Sequence, residues 1–204
     1  MINDLDRTLE ELLMRELPAE LVSPEATTRV TISFATPDDQ FPPTSVTLPA
    51  IDLFLYDVRE NRDLRTNEWI VERQGDGTTT KKRPPVRVEC SYLVTAWASD
   101  TSTNPALDEH RLLGEVMMVL LQHSTIPQQV LQGHLKDQHP PLPAVTLQPG
   151  RLQSLGEFWQ ALGGKPKAAL NYTVTIGAEV YQPVEAEMVT EKVLKFKVEN
   201  EVAP

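Results

Sequence analysis

Cysteine is almost missing from this chain of 204 residues: Cys90 is the only one, which rules out an intrachain disulfide framework. Glycine is scarce as well, with 9 residues against 17 prolines. Proline fixes φ and donates no backbone hydrogen bond, so that balance implies extended connections outside regular structure. Positive charge is in deficit: 19 Lys and Arg stand against 29 Asp and Glu, a formal net charge of −10. Phosphate binding rests on clustered Lys and Arg, so the deficit argues against a nucleic-acid partner and against an anionic membrane surface. No apolar run approaches the roughly 20 residues needed to span a bilayer. The N-terminus, "MINDLDRTLEELLMREL", is charged and amphipathic from its start and has no apolar signal-peptide core. Folding in a bacterial-type cytosol is the expectation.

Catalytic signatures are absent too. There is no G-x-S-x-G, no Walker-type loop and no G-x-G-x-x-G. Cys90 falls on the apolar side of an alternating segment, where a buried, inert thiol is expected. His134 and His139 sit in a proline-rich stretch without the convergent ligands a metal requires, and His110 and His123 belong to a helical segment. An enzyme using His123 or His134 as a base is the weaker reading, because nothing in the sequence converges on either. Trp69, Trp97 and Trp159 read as core aromatics rather than a ligand cage. No cofactor, metal or catalytic residue is expected.

The patterns that are present describe a scaffold. Ile2, Leu5, Leu9, Leu12 and Leu13 recur at helical spacing up to Pro18, an amphipathic helix. "RVTISF" alternates with Val30, Ile32 and Phe34 on one side, while four prolines make residues 35–50 an irregular excursion. "IDLFLYDVRE" is apolar on both faces through Tyr56, as in a strand between two layers. "NEWIVERQ" and the stretch from Pro85 flank "GDGTTTKKRP", a hairpin with a long tip whose second arm alternates Val86, Val88, Cys90, Tyr92, Val94 and Ala96 against polar residues.

Asn104-Pro105 opens a helix running through Leu121, and Val145 with Leu147 fits a short strand. Ser154 and Glu157 form a capping box for a turn carrying Phe158, Trp159 and Leu162, which Gly163-Gly164 ends. Leu170, Tyr172, Val174, Ile176, Ala178 and Val180 then alternate without a break, and "KVLKFKVEN" offers a late strand. Strands joined by hairpins with a few helices predict an α+β fold, a mostly antiparallel or mixed sheet packed with helices. The expected division is one domain over 1–181 and an acidic C-terminal arm over 182–204.

Five stretches in this order carry a resemblance: the helix Ile2–Leu17, "IDLFLYDVRENRDLRTNEW", "RPPVRVECSYLVTAWA", "DEHRLLGEVMMVLLQHSTIP" and "GEFWQALGGKPKAALNYTVTIGAEVY". The chain resembles the tail-terminator, or cap, proteins of extracellular contractile injection systems, the phage-tail-like particles of the virulence-cassette and antifeeding-prophage type. The resemblance implies a homohexameric ring on the last layer of the inner tube and contractile sheath, ending polymerisation. Its partners are then further copies of itself, the inner tube protein and the sheath protein. It also implies assembly in the cytoplasm followed by release within an extracellular particle. A monomeric adaptor or baseplate component of such a particle is the alternative.

Residues expected to reach neighbours are Arg59, Arg62 and Arg65, the basic knot Lys81, Lys82 and Arg83, and Lys195, Phe196 and Lys197 in the arm. The hairpin region 59–85 and the C-terminal arm that carry them are both polar, long and weakly tied to a core pattern. Deletion of 185–204 is expected to weaken capping and spare the fold.

Overall fold

The computed structural model describes residues 1–26, 29–73, 78–138, 142–148, 154–187 and 193–194. The chain divides into two compact units. One comprises Met1–Arg65 with Val86–Ala178, the other Thr66–Pro85 with Glu179–Pro204.

The larger unit is built on a five-stranded sheet. Its strands are β1 (Thr31–Ser33), β2 (Ala50–Glu60), β5 (Val86–Trp97), β6 (Ala144–Thr146) and β7 (Ala169–Ala178). Their order is β1-β2-β5-β7-β6, with β1 parallel to β2 and every other pair antiparallel. The mixed, mostly antiparallel sheet expected from the sequence is present. The long central strands β5 and β7 run in register from Val86↔Ala178 to Thr95↔Ala169, so their alternation puts Cys90, Tyr92 and Val94 beside Val174, Tyr172 and Leu170 on one face.

That face receives the helices. α1 (Ile2–Glu16) and α3 (Pro105–Gln122) contribute Leu5, Leu9 and Leu12, and Leu113, Val116 and Leu120, to the same buried cluster as the strand residues. The leucine spacing of α1 makes a single stripe, and the chain leaves it through extended Leu17 before Pro18. A short helix α2 (Ala19–Val22) leads on to β1. Two one-turn 3-10 helices, Gln128–Val130 and Gly133–Leu135, seat Val130 and Leu135 in the cluster.

The opposite face of the sheet is covered in part by the helix α4 (Leu155–Ala161) and by the proline-rich excursion. Trp159 is buried, Phe158 meets Phe54 at 6.0 Å between ring centroids, and Phe41 of the excursion lies 4.2 Å from Trp97. The Ser154 side chain accepts from the Glu157 N–H, and Gly163 takes φ +69 past the end of the helix, the left-handed state glycine adopts without a Cβ penalty. β2 is buried on both faces only from Ala50 to Leu53; beyond that its residues are half-buried or exposed, a narrower sandwich than its composition implies.

The smaller unit is a three-stranded antiparallel sheet ordered β3-β4-β8, from β3 (Ile70–Arg73), β4 (Thr78–Lys82) and β8 (Val184–Glu187). It corrects the hairpin expectation. β3 pairs with the Thr78–Lys82 segment itself, and the strand from Val86 belongs to the other sheet. The β-branched run Thr78-Thr79-Thr80 suits a strand, and Pro84-Pro85 then interrupts the backbone donors so that the chain can change sheets. β8 was not legible in the acidic tail. The "KVLKFKVEN" strand and the "GDG" tip fall almost wholly outside the described residues, as do Lys195, Phe196 and Lys197.

Candidate assembly surfaces

The basic residues singled out from the sequence are distributed between the two units: Arg59, Arg62 and Arg65 in the larger, Lys81, Lys82 and Arg83 in the smaller. Arg59 Nε lies 2.5 Å from Asp57 Oδ2, and Arg65 Nε 3.6 Å from Glu60 Oε1. The neighbouring Asp57 carboxylate raises the Arg59 pKa. These contacts follow the bend where β2 ends and are solvent-exposed pairs of small energetic weight.

In the smaller unit Arg83 lies between two aromatic rings, 5.1 Å from the Trp69 centroid and 4.9 Å from that of Tyr181. Lys82 Nζ pairs with Glu179 Oε1 at 2.6 Å. Residues before β3, after β4 and before β8 are thereby tied by one cation–π stack and one ion pair. Trp69 is therefore not a core aromatic. It is half exposed, and among the described residues of its unit no helix covers this small sheet. On one face of the sheet the register aligns Val71, Lys81 and Val184 in a row, and all three are exposed.

The larger unit carries several concave surfaces. One, of about 240 Å³, is lined by Val30, Pro49, Ala98 and Leu112 together with Arg111 and Asp108. Arg111 is held by Glu20 at 2.6 Å, and the Ser102 hydroxyl donates to Asp108 at 2.5 Å. Another, of about 270 Å³, lies over β5, β6 and β7, lined by Tyr56, Asn61, Glu89, Val145, Asn171 and Thr173 among others. Three hydrogen bonds tie part of its polar lining: Tyr56 donates to Asn171, Asn61 donates to Glu89, and Thr173 bonds Ser91 outside it. Beside it Leu147 holds φ +63, a strained conformation for a non-glycine residue, with its side chain half exposed.

Several titratable groups away from these surfaces make contacts that tie elements of the fold together. Lys167 Nζ lies 2.6 Å from Glu109 and 3.9 Å from the centroid of Trp97, joining the start of β7 to α3 and the end of β5. His134 and Asp4 are joined through Nδ1 at 3.0 Å, and the His134 N–H also donates to the Asp4 carboxylate. Those bonds and the N-terminal ammonium hold the Asp4 carboxyl down at about 2. His123 Nδ1 meets the Val119 carbonyl at 2.9 Å. Cys90 is buried, and burial pushes its thiol up to about 11, the inert state expected of it. Among the described residues no three His, Cys, Asp or Glu side chains group as a metal site, and no helix is long and apolar enough to cross a membrane.

Sequence reasoning missed Asp52. Its carboxylate is fully buried on the second face of the sheet, opposite Thr95 on β5 and beside Ser33 on β1, and neither oxygen has a well-placed hydrogen-bond partner. Burial pushes its pKa up to about 7, tempered by the nearby Ser33 hydroxyl and Ala35 amide. The signal was available: a lone carboxylate within "AIDLFLY", an otherwise apolar strand.

Residues 4–190 match the model of the Pvc16 N-terminal domain. The chain belongs to that family. No match is found among curated proteins. Among solved structures, the Pvc16 N-terminal domain fold of this chain is similar to the sheath/tube terminator of PVC, an extracellular contractile injection system, in its extended state. The two share 22% identity at a TM-score of 0.65, covering 99% of this chain and 64% of that one. The tube-terminating cap of the anti-feeding prophage is similar at 23% identity and a TM-score of 0.57, covering 97% of this chain and 62% of that one. This chain thus spans less than two thirds of either protein's length. At these identities the likeness establishes a shared α+β fold.

Proposed function

We propose that this chain is a tail terminator: a structural subunit that forms a ring on the end of an inner tube and contractile sheath, stops their growth and stabilises the particle. The observation that carries the reading is the match of 99% of the chain, at a TM-score of 0.65, to a protein described as a sheath/tube terminator. Membership of the Pvc16 N-terminal domain family over residues 4–190 supports it.

A ring of identical subunits is built from heterologous contacts that close by rotation. A terminator also needs one surface that fits the growing end and another that does not reproduce it, or polymerisation continues. Two separate units, each with its own sheet, provide unlike surfaces on one chain. In this reading the partners are further copies in a homohexameric ring, the inner tube protein and the sheath protein. Arg59, Arg62 and Arg65, the knot Lys81–Arg83, and the arm with Lys195, Phe196 and Lys197 reach those neighbours. No cofactor and no catalytic step are required. The protein assembles in the cytoplasm and leaves the cell within the particle.

Electron microscopy of particles made without this chain tests the proposal. Tubes and sheaths of uncontrolled length, or particles that fall apart, are the expected result. Intact particles of normal length would overturn it.

A further inference from the structure

Arg83 follows the last residue of β4, and its Cζ lies over the faces of two rings, 5.1 Å from the Trp69 centroid and 4.9 Å from that of Tyr181. Ring faces hold a guanidinium in place and leave the N–H groups along its edge to other partners. Here those groups are not taken up. Among the described residues Arg83 has neither an ion pair nor a side-chain hydrogen bond, although it is exposed in a chain rich in carboxylates. The Glu179 carboxylate, two residues before Tyr181, meets Lys82 at 2.6 Å instead. The Trp69 indole N–H and the Tyr181 hydroxyl likewise have no partner among the described residues. Three side chains that end in donors stand together, and no acceptor of this chain serves them.

The surroundings are those of a protein contact. Trp69 and Tyr181 are 46% and 45% exposed, and their chain neighbours Ile70 and Val180 are exposed as well. Trp, Tyr and Arg carry most of the binding energy at protein interfaces, where a surrounding apolar rim excludes water from the central contact. The guanidinium fork matches a carboxylate with two parallel hydrogen bonds. A phosphate suits the place less well. Glu68 adjoins Trp69 in the chain, Glu179 lies close to Tyr181, and the whole chain carries a formal charge of −10, so a dianion is repelled more than a single carboxylate.

We infer that Arg83, clamped by Trp69 and Tyr181, anchors a contact with a neighbouring protein chain by taking an aspartate or glutamate carboxylate from an acidic segment of that chain. The free edge of the guanidinium receives the carboxylate, the two rings flank its aliphatic stem, and Ile70 and Val180 belong to the apolar rim. This deepens the terminator reading, and rests on it for the neighbour that carries the carboxylate.

The test titrates the full chain with an acetylated, amidated peptide of alternating glycine and glutamate, followed by calorimetry at constant ionic strength. The peptide should bind, and its glutamine counterpart and inorganic phosphate should not. Arg83→Gln should abolish binding. Arg83→Lys keeps a cation over the rings, so the unit stays folded, but it loses the fork and should bind the peptide roughly tenfold more weakly. Phosphate that binds more tightly than the peptide overturns the assignment, as does a peptide that binds Arg83→Lys as well as it binds the wild type. No binding by the wild type overturns it too, and leaves the terminator reading to the particles made without this chain. Particles of normal length in that experiment, with the peptide still bound through Arg83, overturn the terminator reading and leave the carboxylate site standing.

Discussion

Gln138 extends the sheet where β6 stops. Its carboxamide oxygen accepts the Gly177 N–H at 2.9 Å while its amide nitrogen donates to the Gly177 carbonyl, so one side chain imitates the strand that β7 lacks there. Gly177 is buried, which leaves its backbone no water to turn to. Gln138→Ala should therefore cost about 1–3 kcal/mol, the penalty for unpaired buried polar groups. Urea unfolding with an unchanged m-value would show it, and a loss within a few tenths would discount the contact.

Asp52 makes stability depend on pH in an unusual direction. A carboxyl whose folded pKa is raised holds its proton after the unfolded chain has lost it, so stability falls as pH rises from about 3.8 to about 7 and then levels off. Asp52→Asn removes the ionisation. The variant should gain on the wild type across that window, by an amount on the order of 4 kcal/mol at most. Parallel stability curves for the two proteins between pH 4 and 8 would show that Asp52 stays ionised throughout.

Asp4 works in the opposite sense. Its folded pKa is depressed to about 2, so its contribution is present above the unfolded value near 3.8 and is lost as pH falls through about 2. His134→Ala removes the largest cause of that depression. Acid titration followed by circular dichroism should show the variant unfolding at a higher pH than the wild type, and denaturant unfolding should show the loss of stability present above about pH 4 and shrinking as pH falls towards 2.

Gly133 closes on the same carboxylate: it holds φ +52, and an added Cβ would lie 2.4 Å from Asp4 Cγ and Oδ1. Gly133→Ala should destabilise by about 1–3 kcal/mol through strain and displacement of Asp4. A melting temperature equal to that of the wild type would show that the loop accommodates the methyl group.

Gly114 should behave in the reverse way. Gly114→Ala has open space for the methyl group and removes a helix-interior glycine, so the isolated chain should gain about 0.5–1 kcal/mol. A melting temperature at or below that of the wild type would show that the glycine answers a need of the helix itself.

The C-terminal deletion needs a new boundary. β8 begins at Val184, and Glu185, Ala186 and Glu187 pair with Thr80, Thr79 and Thr78. Removing 185–204 strips an edge from the smaller sheet, so it does not spare the fold of that unit. Removing 188–204 retains β8, and this shorter deletion is expected to reduce capping of particles while leaving the far-ultraviolet spectrum close to that of the wild type.

What the sequence determined by itself was whatever one segment can encode. The leucine spacing of α1, the Asn104-Pro105 opening of α3, the Ser154 cap and the alternation of 86–97 and 169–178 are local signals, and each element formed where its pattern lay. Cys90 was readable as inert because alternation alone put it on the apolar face. Only the tertiary structure decided which strands meet. β3 chose Thr78–Lys82 over the longer strand beyond, and β8 emerged from an acidic tail, because pairing is settled by partners distant in sequence that no short window contains. The buried Asp52, the Gln138–Gly177 bridge and the unclothed glycine of α3 are consequences of the same kind: each is defined by what packs, or fails to pack, against a residue from elsewhere in the chain.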